Sequence, residues 1–201
     1  MNSSFFKSFF IFLLIVICLI FVYIPTLTSY SNLYPYENPI LSILQDEFIW
    51  PITGYHHISS PFGKRISPTI GASSFHKGID IPAPEGTKLY AICNGEITFA
   101  NFLGGGGYTI TLSNDDFKFT YCHVSPNFLV CVGDEVLKGE YIGNVGPKNV
   151  YNVPNNPYKD KNGNPTNGAT TGTHLHFGVR FKDEYINPMS LYENKLEDNI
   201  Q

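Results

Sequence analysis

The sequence predicts an all-β domain, a compact antiparallel β-sheet preceded by one N-terminal transmembrane helix. Three observations carry this expectation. Short β-rich runs broken by Gly, Pro and Asn recur from Trp50 onward, several of them alternate apolar with polar residues, and no window shows a convincing long amphipathic helix. Parallel strands would need helical crossovers that these runs do not supply, so the sheet is expected to be antiparallel.

At the N-terminus, Phe9 to Ile24 is an unbroken apolar run (FFIFLLIVICLIFVYI), preceded by Lys7 and closed by Pro25. Extended by Phe5, Phe6 and Leu27, it reaches the short end of the roughly 20 residues that a membrane span needs. Two readings fit, an uncleaved anchor and the core of a secretory signal. The anchor is preferred, because Thr26-Leu27-Thr28 is a weak cleavage site and Ile17 stands before Cys18 where a lipoprotein needs a small residue. Either way, the positive charges on the N-terminal side of the run place the remainder outside the cytoplasm, as a single-pass membrane protein or, after cleavage, a secreted one. Residues 1–29 are therefore expected to be anchor or signal, 30–55 a stalk, 56–192 the folded domain and 193–201 a polar tail.

Within the domain the expected strands come from TKLYAICNGEITFAN, GYTITLSN, FKFTYCHVS, EYIGNVG and THLHFGVRF. The run Gly104 to Gly107 reads as a flexible hairpin turn. It is no phosphate cradle, because no Lys-Ser/Thr follows and the next segment is a strand. The formal net charge of -4, without any Lys/Arg cluster, excludes the footprint of a nucleic-acid binder. Cys93, Cys122 and Cys131 are odd in number and lack a CxxC pair, which argues against a cysteine metal site; buried free thiols are expected, with one disulfide among the three as the alternative.

Five polar residues stand out: His76 and Asp80 in FHKGIDIPAPEG, His123 in YCHVS, and His174 and His176 in GTHLHFGV. On a strand, residues two apart share a face, so His174 and His176 project together while Leu175 and Phe177 point into the core. Along a straight strand His76 and Asp80 would stand roughly 13 Å apart, too far for one ion, whereas a bend at Gly78 brings them together. Pro82 and Pro84 argue against a helix, which puts His76 on a loop and Asp80 near the start of a strand. His123 is expected to share a strand face with Tyr121. By itself it reads as a hydrogen-bonded strand histidine, and His56 and His57 read as solvated loop residues without a role. Two His and one carboxylate plus a water make the open arrangement of catalytic zinc. Spacing alone leaves open which His of the HxH pair ligates.

HKGIDIPAPEGT, the YxH of YCHVS and TTGTHLHFGV together resemble the M23 (lysostaphin/LytM-type) zinc endopeptidases of bacterial cell walls. The likeness runs from about Ile58 to Tyr192 and includes SSPFGKR, VGDEVLKGEYIGNVG and INPMSLY. It implies a LytM/lysostaphin (duplicated hybrid motif-like) fold and one Zn2+ held by His76, Asp80 and His176. It also implies catalytic roles for His174 and His123 beside the bound water, and peptidoglycan as the substrate; the membrane is expected as a second partner from the N-terminal apolar run, not from the resemblance. Three departures accompany it: Val124 where Leu is usual, Gly178 where Glu is common, and a polar insertion at 147–167 (PKNVYNVPNNPYKDKNGNPTN) that is expected to wall one side of the groove. The alternative reading is a catalytically silent scaffold or activator of a cell-wall or sporulation complex. A more remote one is a zinc hydrolase acting on an unrelated protein.

Overall fold

The computed structural model describes residues 48–69 and 71–192. The segment 1–29, most of the stalk and the tail 193–201 lie outside the described residues. Among those described, no helix is long and apolar enough to cross a membrane.

The described residues form eleven strands in order: β1 (Gly63–Lys64), β2 (Phe75–His76), β3 (Ile79–Pro82), β4 (Lys88–Tyr90), β5 (Gly95–Phe102), β6 (Tyr108–Asn114), β7 (Phe117–Cys122), β8 (Glu135–Val136), β9 (Tyr141–Asn144), β10 (His174–Phe181) and β11 (Glu184–Ile186). Two short 3-10 turns, Gly104–Gly106 and Pro188–Leu191, are the only helical elements among the described residues. The main sheet runs β11-β10-β7-β6-β5-β8, with every pair antiparallel. The far edge of β10 is shared: β3 pairs with its first half and β11 with its second.

Alternation decides what this sheet buries. Ile79, Ile81, Ile110, Leu112, Phe119, Tyr121, Leu175 and Phe177 are fully buried on one face, beneath the small β4-β9 sheet that adds Leu89 and Ile142. Each such side chain contributes roughly 1.5–3 kcal/mol by leaving water. The one polar intruder, Tyr121, is satisfied: its hydroxyl donates to the Tyr90 carbonyl at 3.0 Å and accepts from the Ile92 N–H at 3.2 Å. The opposite face carries Asp80, Thr120, Cys122, His174 and His176, which border an open groove of about 800 Å³.

Three expectations change here. Residues 48–52, read as stalk, are built into the domain: Phe48 packs on Phe117 and Phe119 with ring centroids 5.3 Å away, and Ile52 is fully buried. The glycine turn is packed rather than loose, because a Cβ at Gly107 would lie 2.3 Å from Asn167 Oδ1 and one at Gly168 would lie 2.4 Å from the Gly105 carbonyl oxygen. Finally, Cys93 and Cys122 are buried as expected, but Cys131 is exposed.

The insertion is ordered by its own turns. Asp160 Oδ1 accepts the backbone N–H groups of Asn162 and Asn164 at 2.9 Å each, and Oδ2 accepts from Lys148 Nζ at 3.4 Å. Desolvation opposes ionisation, yet these bonds prevail and hold the Asp160 carboxyl down at about 2. None of residues 147–167 lines the groove; the wall is made by the segment that follows, Ala169 to Thr173. The insertion stands one layer behind it.

Candidate metal centre and groove

The bend expected at Gly78 exists, although it joins two strands rather than a loop to a strand. β2 ends at His76, β3 opens at Ile79, and β3 lies against β10 in a register that pairs Asp80 with His176. Gly78 is needed for the close approach, since a Cβ there would sit 2.4 Å from the Phe177 carbonyl oxygen and 2.9 Å from the His176 ring. Gly78→Ala is therefore expected to destabilise the domain by about 2 kcal/mol and to weaken metal binding at least roughly tenfold, the latter because it displaces a candidate ligand. Thermal unfolding and a chelator competition titration check the two effects.

His76, Asp80 and His176 converge, each offering a donor atom within 4.8 Å of the others. His76 Nε2 is 3.1 Å from Asp80 Oδ1 and 2.9 Å from His176 Nδ1, and the last two are 2.8 Å apart. Tetrahedral zinc with bonds of about 2.0–2.1 Å spaces its ligands by about 3.3 Å, so this triangle fits such an ion with small outward shifts. His174 Nε2 stands 3.5 Å from Asp80 Oδ1, and the ring centroids of His123 and His174 are 4.7 Å apart.

Backbone carbonyls set the tautomers. The Nδ1–H groups of His76, His123 and His174 donate to the carbonyls of Pro61, Asn167 and Gly172 at 2.9, 2.7 and 3.0 Å, which turns each Nε2 toward the site and makes it the nitrogen that is free of a proton whenever the ring is neutral. Asp80 is restrained on its other oxygen: Arg65 donates to Oδ2 at 3.1 Å and to Ser60 Oγ at 2.6 Å. Sequence reasoning assigned no role to Arg65 or Asn167. Arg65 belongs to the quoted SSPFGKR run, but neither residue has a spacing to the ligands that would single it out.

His123 reaches the site by an irregularity. Strict alternation beyond Tyr121 would turn it into the core, but it adopts φ +59° just past the end of β7, and the ring swings back to the groove. The expected shared face with Tyr121 is thus corrected. His56 and His57 are exposed, with the His56 ring beside Trp50 and away from the cluster.

Electrostatics match the geometry. Burial would raise the Asp80 carboxyl, but hydrogen bonds from His174, His176 and His76 outweigh it and hold the group far below the ordinary carboxylate range. Burial lowers His123 strongly, and it lowers His176 despite the opposing Asp80 contact. Burial also pushes the Cys122 thiol up to about 12, against a lowering bond from Thr109 and with the Asp80 charge adding to the rise. For the two histidines the folded form resists a proton that the unfolded chain accepts below the ordinary value of 6.5. Stability of the metal-free domain should accordingly rise with pH through that value and fall as pH drops below it. A melting temperature several degrees lower at about pH 5.5 than at about pH 7.5, in chelator, is the expected result, its scale following from roughly 2–4 °C per kcal/mol.

An antiparallel sheet thus presents His76, Asp80 and His176, a group able to hold a metal ion, together with His123 and His174 at an open groove. The chain belongs to peptidase family M23, whose profile matches residues 74–188. The DD-carboxypeptidase/endopeptidase Mpg of Neisseria meningitidis is 34% identical over 138 residues, covering 68% of this chain and 27% of that protein. The murein hydrolase activator NlpD of Escherichia coli is 29% identical over 143 residues, covering 70% of this chain and 30% of NlpD. Among solved structures, a zinc containing peptidase from Vibrio cholerae superposes with a TM-score of 0.56 at 26% identity, covering 71% of this chain and 39% of the other. The chain thus corresponds to about a quarter to two fifths of each of these longer proteins.

Proposed function

We propose that this domain is a zinc-dependent endopeptidase that hydrolyses peptide bonds in bacterial peptidoglycan, in the stem peptide or cross-bridge, outside the cytoplasmic membrane. The observation that carries the proposal is the convergence of His76, Asp80 and His176 on one face of an open groove, with His174 and His123 beside them. The wall-directed names of the relatives support the substrate class, and the apolar run at residues 9–24 supports a membrane anchor.

When bound, zinc would polarise the scissile carbonyl and lower the pKa of a water toward about 7. The protein's own residues do the rest. Asp80, kept ionised by its three histidine contacts, contributes the one negative charge, and Arg65 occupies its second oxygen so that Oδ1 alone faces the cluster. His123, neutral through burial and holding its proton on Nδ1, presents Nε2 as a proton acceptor, and the bond from His174 Nδ1 to the Gly172 carbonyl turns the Nε2 of that ring toward the site from the strand side. As the tetrahedral intermediate collapses, a protonated imidazole can return its proton to the leaving amine.

A second reading, a silent activator of other wall hydrolases, is favoured by the likeness to NlpD. One experiment separates them: full chain in detergent, incubated with purified peptidoglycan with and without a chelator, with products identified by mass spectrometry. Chelator-sensitive fragments with new peptide termini support the endopeptidase and name its bond. Absence of cleavage by zinc-loaded protein would transfer the assignment to the activator role.

A further inference from the structure

The groove runs on past the ligand cluster. Alternation on β10 sets His174, His176, Gly178 and Arg180 on one face, and the register places Arg180 between Lys118 of β7 and Tyr185 of β11. There, Lys77 Nζ lies 4.7 Å from the Tyr185 ring centroid and the Arg180 guanidinium carbon 5.5 Å from it. Lys77 and Tyr185 both line the groove, whereas Arg180 lies outside its lining and reaches it through the Tyr185 ring. Two cations therefore share one ring in a chain whose formal net charge is -4.

Nearby carboxylates are engaged elsewhere. Asp183 accepts from Lys118 at 2.7 Å, Asp116 pairs with Lys182 at 3.5 Å, and Asp80 is taken by Arg65 at 3.1 Å. Asp183 also feels the charge of Arg180, but among the described residues no carboxylate lies within ion-pair distance of Arg180 or Lys77. Arg180 Nε is buried without a hydrogen-bond partner, and the guanidinium is met only by the Tyr185 ring among the contacts of the described residues. Repulsion between like charges and an unused planar fork are both relieved by one anion of carboxylate shape.

Position says where that anion sits on a bound peptide. Gly178 adds no side chain to the floor, and Thr120 lies across from it, so the track between the cluster and the cations is clear. At about 3.3 Å per residue, Gly178 is about 7 Å and Arg180 about 13 Å along β10 from His176. An extended peptide covers that distance in two to four residues.

We propose that Lys77 and Arg180, spread on the Tyr185 ring, form a subsite for a free carboxylate of the bound peptide, two to four residues from the bond that lies over the ligand cluster. This rests on the groove being the peptide site proposed above. The subsite makes the domain distinguish wall peptides with free carboxylates from the same peptides carrying amides.

The test uses the full chain in detergent, treated with chelator to prevent turnover, and titrated calorimetrically with two synthetic stem peptides that differ only in amidation of their carboxylates. The carboxylate form is expected to bind about tenfold more tightly, as loss of a charge-assisted contact implies. Lys77→Ala, at an exposed position, and Arg180→Gln should each remove most of that preference, and Gly178→Glu should reverse it. Equal affinity for the two peptides, no binding of the carboxylate form at millimolar concentration, or a preference that survives both cation substitutions overturns the subsite. Cleavage by the zinc-loaded chain is scored separately. Preference without cleavage sinks the peptidase and keeps the subsite, and cleavage without preference does the reverse.

Discussion

His176→Ala is expected to reduce release of peptide fragments from peptidoglycan to background, a loss well beyond 100-fold. His176 Nδ1 is the donor closest to Asp80 Oδ1, at 2.8 Å, and sits 2.9 Å from His76 Nε2, so its removal opens the triangle on two sides. Loss of a residue that merely orients a metal ligand costs roughly 10–100-fold, and loss of the ligand itself should exceed that. Two readouts separate the cause from general damage. Zinc content after dialysis should fall from about one per chain to near zero, while the melting temperature in chelator should hold or rise, since burial disfavours the charged form of this imidazole. Normal zinc content with lost activity would move His176 from ligand to a proton-transfer role.

Asn167→Ala is expected to lower stability by about 3 kcal/mol, or roughly 6–12 °C in melting temperature, and to depress cleavage about tenfold even where the domain stays folded. Asn167 is fully buried at the end of the insertion. Its Oδ1 accepts from the Tyr108 N–H at 2.7 Å, its Nδ2 donates to the Val124 carbonyl at 3.0 Å, and its own carbonyl holds His123 Nδ1 at 2.7 Å. Truncation leaves one donor and one acceptor buried without partners, each costing roughly 1–3 kcal/mol. Because Gly107 and Gly146 press against the amide, neither a longer side chain nor a water substitutes easily. The activity effect arises because the carbonyl that sets the His123 tautomer moves with its residue. Unchanged melting with lost activity, or the converse, would show that the two roles are separable.

Much of the fold was legible because period-two alternation is a local signal. The runs around Ile97, Ile110, Phe119, Ile142 and Phe177 became strands, and the HxH pair faced outward while Leu175 and Phe177 were buried. The very short strands β1, β2, β8 and β11 were not legible, since two or three residues carry no period and are held by their partners. Gly78 was readable as a bend because His76 and Asp80 make sense together only if the chain turns between them.

What the chain order alone determined was the antiparallel class, the identity of the five groove residues and the candidate bend. What tertiary structure decided was which atoms meet. The β3-β10 register pairs Asp80 with His176 across 96 residues, the left-handed turn at His123 reverses the face that alternation assigns, and Asn167 and Arg65 act through contacts with no sequence periodicity. The physical reason is range. Alternation and turn chemistry are set by neighbours one to four positions away, whereas a donor triangle about 3 Å on a side depends on strand register and buried hydrogen bonds that form only when distant segments pack.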